Sequence, residues 1–467
     1  MTQQVSSPPP PPKQVSHPLP KQQEQQEPSS KKGILTLLVL VGMLLLLLTS
    51  QLVWNLSQVM MPKTSSQPRP TPTVNQNKDI GPLLPPGAAT APQLTLPTGK
   101  FVVYEQQKSI SIVPLAGGLS TVLTTPGYIY NLAVPPRMTP SGKLLYSGNG
   151  LWLTDIFNGT STQIATIPTG QVITSLALSS DETTVAWSTE PANGTGNLTL
   201  YAGPLEKSVP VYQHDATDCP CYRVFSFLHG TGSKANSTLL LTDDNGDHRA
   251  VHYGLWSLNV ANTPLEDPQV LLEGDAQQGP LVLSPTDNTL LYSTNQGIVP
   301  APNDSSVPAD VAALNYANSL SIGSISPASN GSNVVLNGTH GILAEQHDLK
   351  NSAAYHWVTT PLFSPDSHTL VYIVFSSDAQ TPFDRHSAVY AVHYTGSGTH
   401  LKVGTPQLLA TSTDLFVELG TWVNNSTLTF YSDGTLYALD ITNGAVATIA
   451  QATPYARAIA VIQGNNV

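Results

Sequence analysis

Two patterns of apolar and polar residues divide the chain. Residues 33–54 form one uncharged, Leu-dominated run, GILTLLVLVGMLLLLLTSQLVW. From residue 99 onward the apolar residues fall instead into short clusters of strand length, separated by Ser, Thr, Asn, Asp, Gly and Pro. The run of 22 residues would extend about 33 Å as a helix, enough for a hydrocarbon layer of about 30 Å. Lys31 and Lys32 precede it directly, no charge follows until Lys63, and Trp54 closes it where an interfacial aromatic is favoured. These features predict a signal anchor with residues 1–32 in the cytoplasm and the rest outside. A cleaved signal peptide fits less well, because its apolar region would be shorter and followed by a small-residue cleavage site.

The clusters after residue 99 recur with a period of about 50 residues, the mark of a repeat architecture. LVLSPTDNTLLYST (281–294) stands beside PLFSPDSHTLVYIVF (361–375), and RMTPSGKLLYSG (137–148) and LALSSDETTVAWST (176–189) follow the same plan. TWVNNSTLTFYS (421–432) is a looser copy. Each unit reads as an apolar strand, a tight polar turn and a second strand. A third strand with an aromatic follows, as in GLWLTDIFNG (150–159), GLWSLNVAN (254–262), AVYAVHYTG (388–396) and TLYALDITNG (435–444). A short fourth strand closes the unit. Four antiparallel strands per repeat predict a propeller blade.

These units resemble the TolB-like and WD-like propeller repeat, with FSPDS and the YALDITNG-type strand as the most specific matches. The resemblance covers about 370 residues and implies a fold, not an activity. Fourth strands predict an all-β, seven-bladed propeller, with six or eight blades as the alternatives. The first blade begins at KFVVYEQQ, a second-strand sequence, and so lacks its innermost strand. ARAIAVIQGNN (456–466) is the expected replacement, closing the ring from the C-terminus and removing an open sheet edge. The expected organisation is a disordered Pro/Gln-rich tail (1–32), the transmembrane anchor (33–54), a Pro/Thr/Ser-rich stalk (55–98) and the propeller (99–467). An irregular insertion is expected at about 296–356, with one short capped helix after Pro308.

Composition narrows the function. Charged residues make up 10% of the 467, and the net charge of −11 divides into +2 for residues 1–32 and −13 beyond. An acidic, Lys-poor ectodomain argues against nucleic acid as a partner. No nucleophile elbow, Walker loop or HExxH motif occurs, so no cofactor is expected, and the resemblance to the propeller of prolyl oligopeptidases brings no triad with it. Asp243, Asn245 and Asp247 alternate as Ca²⁺ ligands do, but His248 stands where such a loop needs Gly. A hairpin turn without metal is the favoured reading there. His248 and His252, four apart, are a weak zinc signal.

Cys219-Pro-Cys221 would form a small disulfide outside the cytoplasm, with a reduced pair and then a redox or metal role as the alternatives. Trp152, Trp187, Trp256 and Trp422 read as blade packing. Asn-x-Ser/Thr triplets at Asn158, Asn193, Asn197, Asn236, Asn337 and Asn425 become glycan sites only in a host that glycosylates exported proteins. The longest polar segments are second-to-third and fourth-to-first loops, which share one face of a propeller. Phe383, Asp384, Arg385 and His386 are the binding-face candidates there. The expected function is a membrane-tethered binding or scaffolding module for a protein or a wall glycan. The alternatives are an enzyme of lyase or glycosidase type with its site in the central channel, and a transmembrane sensor.

Overall fold

The second strand of each repeat is an apolar run, such as TLTFYS at Thr427–Ser432, and all six of its residues are buried. The fourth strand, such as STQIAT at Ser161–Thr166, is mostly polar and largely open to solvent. A sheet covered on both faces accounts for the first pattern, and a position at the rim accounts for the second. The computed structural model describes residues 83–88, 92–131, 134–139, 141–218, 220–230, 236–243, 252–261, 267–274, 278–293, 319–328, 333–343, 354–378, 385–413, 417–453 and 456–464. Seven antiparallel sheets form among them.

Blade one holds Lys100–Gln106, Ser109–Pro114 and Thr121–Val122, and blade two runs from Arg137–Met138 to Ser161–Thr166. Blade three spans Gln171–Leu178 to Val209–Asp215, and blade four spans Tyr222–Phe227 to Gln269–Leu272. Blades five, six and seven begin at Leu281–Leu283, Ala354–Phe363 and Val417–Trp422. Seven apolar clusters hold the ring, one in each seam between neighbouring blades. In the seam of blades three and four, for example, Leu198 and Leu200 meet Leu239, Leu241 and Trp256.

The ring closes as the sequence predicts. Arg457–Gln463 pairs antiparallel with Lys100–Gln106, so the C-terminal strand becomes the innermost strand of blade one. Ala458 thereby enters the seam of blades seven and one, and Ile462 that of blades one and two. Closure consumes the edge that the first strand would otherwise present.

The repeat's polar turn has a physical explanation. In three blades a Ser N–H donates to the carbonyl five residues on: Ser179 to Thr184, Ser284 to Thr289 and Ser364 to Thr369, at 2.7–2.9 Å. Ser364 Oγ also donates to Asp366 (2.6 Å) and accepts the Thr369 N–H (3.0 Å). Glu182 and Ser367 occupy left-handed positions in these turns, with φ of 59° and 54°. Gly would adopt that conformation without strain. Here Ser367 Oγ instead accepts a hydrogen bond from Ser284 of blade five (2.7 Å).

Two expectations change. Residues 83–88 and 92–98 are not free stalk. Leu83 is fully buried between blades six and seven, and Leu84 exchanges backbone hydrogen bonds with Thr411 (2.9 and 2.8 Å) on the outer strand of blade six. Val446 N–H then donates to Pro92 (3.0 Å), and Leu94 and Leu96 pack against the seam of blades seven and one. A Pro-rich segment is extended, so it can line a rim strand and insert a leucine without a helix or a hairpin. The second change lies in the stretch 296–356, expected to be irregular. It supplies Leu320–Pro327 and Val334–Leu343, the third and fourth strands of blade five. The first strand of blade six, Ala354–Phe363, follows.

The helix expected after Pro308 lies outside the described residues, as do the tail 1–32 and the apolar run 33–54. Among the described residues no helix is long and apolar enough to cross a membrane.

Candidate functional site

The first strand of each blade faces the central channel, and several of these strands bulge there. Pairing with the second strand shifts register between Ile173 and Ser175, Val224 and Ser226, Thr359 and Leu362, and Leu419 and Trp422. A bulge re-aims side chains and leaves ladder groups unpaired. The residues at these shifts, Thr174, Phe225, Thr360, Pro361, Gly420 and Thr421, all line the channel. Thr360 is the most strained, a β-branched residue at φ 38°. Its Oγ1 accepts the Leu419 N–H of the next blade (3.1 Å), which ties the strained turn to blade seven.

Two adjoining cavities of about 380 and 540 Å³ occupy the channel. Both are lined by Arg137, Met138, His252, Leu281, Val282, Pro361, Leu362 and Arg457. The smaller adds Glu418, Trp422 and Ile459, and the larger adds Arg223 and the hydroxyls of Ser175, Ser179 and Ser226. Volumes of this size suit a small organic ligand.

The charged groups are not equivalent. Arg223, only 4% exposed, forms an ion pair with Glu190 of the neighbouring blade. Glu418 is buried as well. Arg457 sits opposite Glu105 in the pairing that closes blade one. Glu105 is buried and accepts a hydrogen bond from the Tyr128 hydroxyl (2.7 Å). Burial raises the Tyr128 pKa and the charge of Glu105 raises it further, so this hydroxyl stays a donor.

Arg137 differs. It is walled in by protein yet solvent-accessible, and among the described residues its guanidinium has no hydrogen-bond or ion-pair partner. Burial, and then the like charge of Arg457, lower its pKa to about 10, which leaves it charged at neutral pH.

The sequence candidates lie elsewhere. Asp243 ends the second strand of blade four, where its carboxylate accepts the Cys221 N–H (2.9 Å). Asn245, Asp247 and His248 lie outside the described residues. Cys221 Sγ is 3.6 Å from the Ala216 carbonyl, and Cys219, on which the disulfide depends, is outside the described residues. Among the described residues no cluster of His, Cys, Asp or Glu could hold a metal. Phe383 and Asp384 are also outside, whereas Arg385 and His386 begin the third strand of blade six, and the exposed His386 lines neither cavity. His252 was paired in sequence with His248, but in the structure it packs its ring on Phe225 (5.5 Å) and faces both cavities.

Trp187 and Trp256 are blade packing as expected, with Trp187 stacked on Tyr201 at 4.0 Å, whereas Trp422 lines the channel. Arg137, Arg223, Glu418 and Arg457 were not singled out by the motifs. The available signal was a charge inside an otherwise apolar first strand: RMTP, YRVFSF, FVELGTW and ARAIAVI.

No family model matches the chain, and no curated protein matches it. Among solved structures it is similar to a protein from Lactobacillus plantarum (14% identity, TM-score 0.44, covering 78% of this chain and 97% of that one). It is also similar to the periplasmic gluconolactonase of Pseudomonas aeruginosa (13%, 0.41, 76% and 96%). A third is an oligogalacturonate lyase in complex with manganese (12%, 0.35, 77% and 76%). Likeness at this level carries nothing about activity, so the chemistry rests on this chain's own residues.

Proposed function

We propose that the chain is a membrane-tethered, extracytoplasmic propeller of the TolB-like or WD-like type. Its long-loop face and the channel behind it act as a binding or scaffolding module for a protein or a wall glycan. The observation that carries this reading is the make-up of the channel. Arginines, hydroxyls and aliphatic side chains from most of the blades converge on cavities of ligand size. Such a lining supplies fixed charge and apolar surface to hold a ligand in one orientation. The anchor at 33–54 would keep this surface at the membrane.

A second reading, an enzyme of lyase or glycosidase type, draws support from Glu418, a buried carboxyl facing the same cavity as Arg137 and Arg457. Crosslinking and affinity capture of the intact protein from its own membranes separates the two. A consistent partner supports the binding module. Empty captures together with turnover on a panel of glycans, lost in Glu418→Gln, would replace it with the enzyme.

A further inference from the structure

We propose that the channel binds a small organic anion, an oxyanion head on a largely apolar body, with Arg137 as the head-group ligand. The inference deepens the binding reading above and rests on it. Three observations lead to it.

The first is the state of Arg137. Its strand, Arg137–Met138, is the first of blade two and only two residues long, which leaves the guanidinium at the meeting point of both cavities. Arg223 is already paired with Glu190, and Arg457 lies opposite Glu105. Arg137 is the channel arginine whose donors have no protein acceptor among the described residues. A guanidinium presents five donors in a planar fork, matched to a carboxylate or phosphate.

The second observation is repulsion. Among the described residues the charge that shifts Arg137 is Arg457, a like charge, and protein walls make that repulsion stronger than it would be in bulk water, whereas Glu418 lines only the smaller cavity. A bound anion offsets that repulsion, which favours its binding.

The third is the rest of the wall. Met138, Leu281, Val282, Pro361 and Leu362 line both cavities beside the arginine. A bare inorganic ion would leave that surface wet, whereas a ligand with an apolar body would cover it.

The test uses the full chain in a non-ionic detergent, titrated calorimetrically with benzoate, with its neutral isostere benzamide, and with inorganic phosphate. Binding of benzoate at least tenfold tighter than of either other probe is expected. Arg137→Gln should weaken benzoate at least tenfold, Arg137→Lys should weaken it less, and Lys143→Gln, outside the channel, should leave it unchanged. Circular dichroism of each variant confirms that the fold persists.

Equal affinity for benzamide, or an Arg137→Gln variant that binds benzoate as the parent does, overturns the assignment. Phosphate binding tighter than benzoate overturns the apolar-body half of it. If membrane capture recovers the same partner with Arg137→Gln while benzoate fails to bind, the anion site is wrong and the binding module stands. If benzoate binds through Arg137 and captures are empty, the module reading fails and the site survives.

Discussion

Leu83→Ala probes the packing of residues 83–88 and 92–98 onto the rim. Leu83 is fully buried among Val371, Ile373, Val389, Phe430 and Leu439, in the seam of blades six and seven. Truncating a buried leucine costs about 2–5 kcal/mol, from lost transfer free energy and the cavity left behind. A value of about 3 kcal/mol corresponds to roughly a hundredfold shift in an equilibrium constant. Among the described residues the segment is otherwise held by the paired hydrogen bonds of Leu84 with Thr411, those of Val446 with Pro92 and Leu94, and the packing of Leu94 and Leu96 on the next seam. The cost should therefore fall on local release of this strap before it falls on the ring.

Hydrogen exchange of the Thr411 amide, which donates to Leu84, reads that release directly. Its exchange should accelerate by about a hundredfold in Leu83→Ala, while amides of Thr427–Ser432, inside blade seven, keep their protection. Leu119→Ala, at a side chain 92% exposed, is the control and should change neither. An unaltered Thr411 rate in Leu83→Ala would refute the view that this leucine fastens the strap.

Removing residues 457–467 should strip blade one of its innermost strand and lower the thermal midpoint sharply. A deletion variant with its full midpoint would show that the ring closes some other way. Glu190→Gln leaves Arg223 buried without its counter-ion and should cost about 3–5 kcal/mol, read as a lower urea midpoint at unchanged slope. The double replacement Glu190→Leu with Arg223→Met should recover most of that loss. Asp181 is partly desolvated, which raises its pKa, yet hydrogen bonds from Ser179, Thr183 and Asn236 outweigh this and hold it at about 2. Its contribution is therefore present above about pH 4 and lost as pH falls through about 2, and solvent screening keeps it under about 1 kcal/mol. Asp181→Asn should flatten the acid limb of the stability profile between these values, and an identical limb would contradict the assignment.

The parts of the fold that were legible in sequence are those buried on both faces. Strands such as Thr289–Tyr292 and Thr427–Ser432 are continuous apolar runs because neighbouring blades cover them, and the closing strand 457–463 stood out as an apolar run without a partner. Val334–Leu343 was not legible, because a rim strand needs little hydrophobicity, and VVLNGTHGIL is half open to solvent. The strap was hidden for a related reason. Proline-rich composition reads as a free linker, and leucines as scattered as Leu83, Leu94 and Leu96 leave no period to detect.

Candidate chemistry was least legible. Arg137, Arg223, Glu418 and Arg457 are separated by up to 320 residues in the chain and meet only because their strands share one channel. Of the motifs that did stand out, Asp243 and Cys221 meet in blade four and line neither cavity, and Asn245, Asp247 and Cys219 lie outside the described residues.

Site-specific photocrosslinking in native membranes tests the central claim most directly, with the crosslinker placed at Met138 in the channel, His386 at the long-loop end of blade six and Lys207 in the turn at the other end of blade three. A binding module predicts one recurring adduct from the first two positions and none from the third. Adducts confined to Lys207, with Met138 and His386 silent, would contradict it.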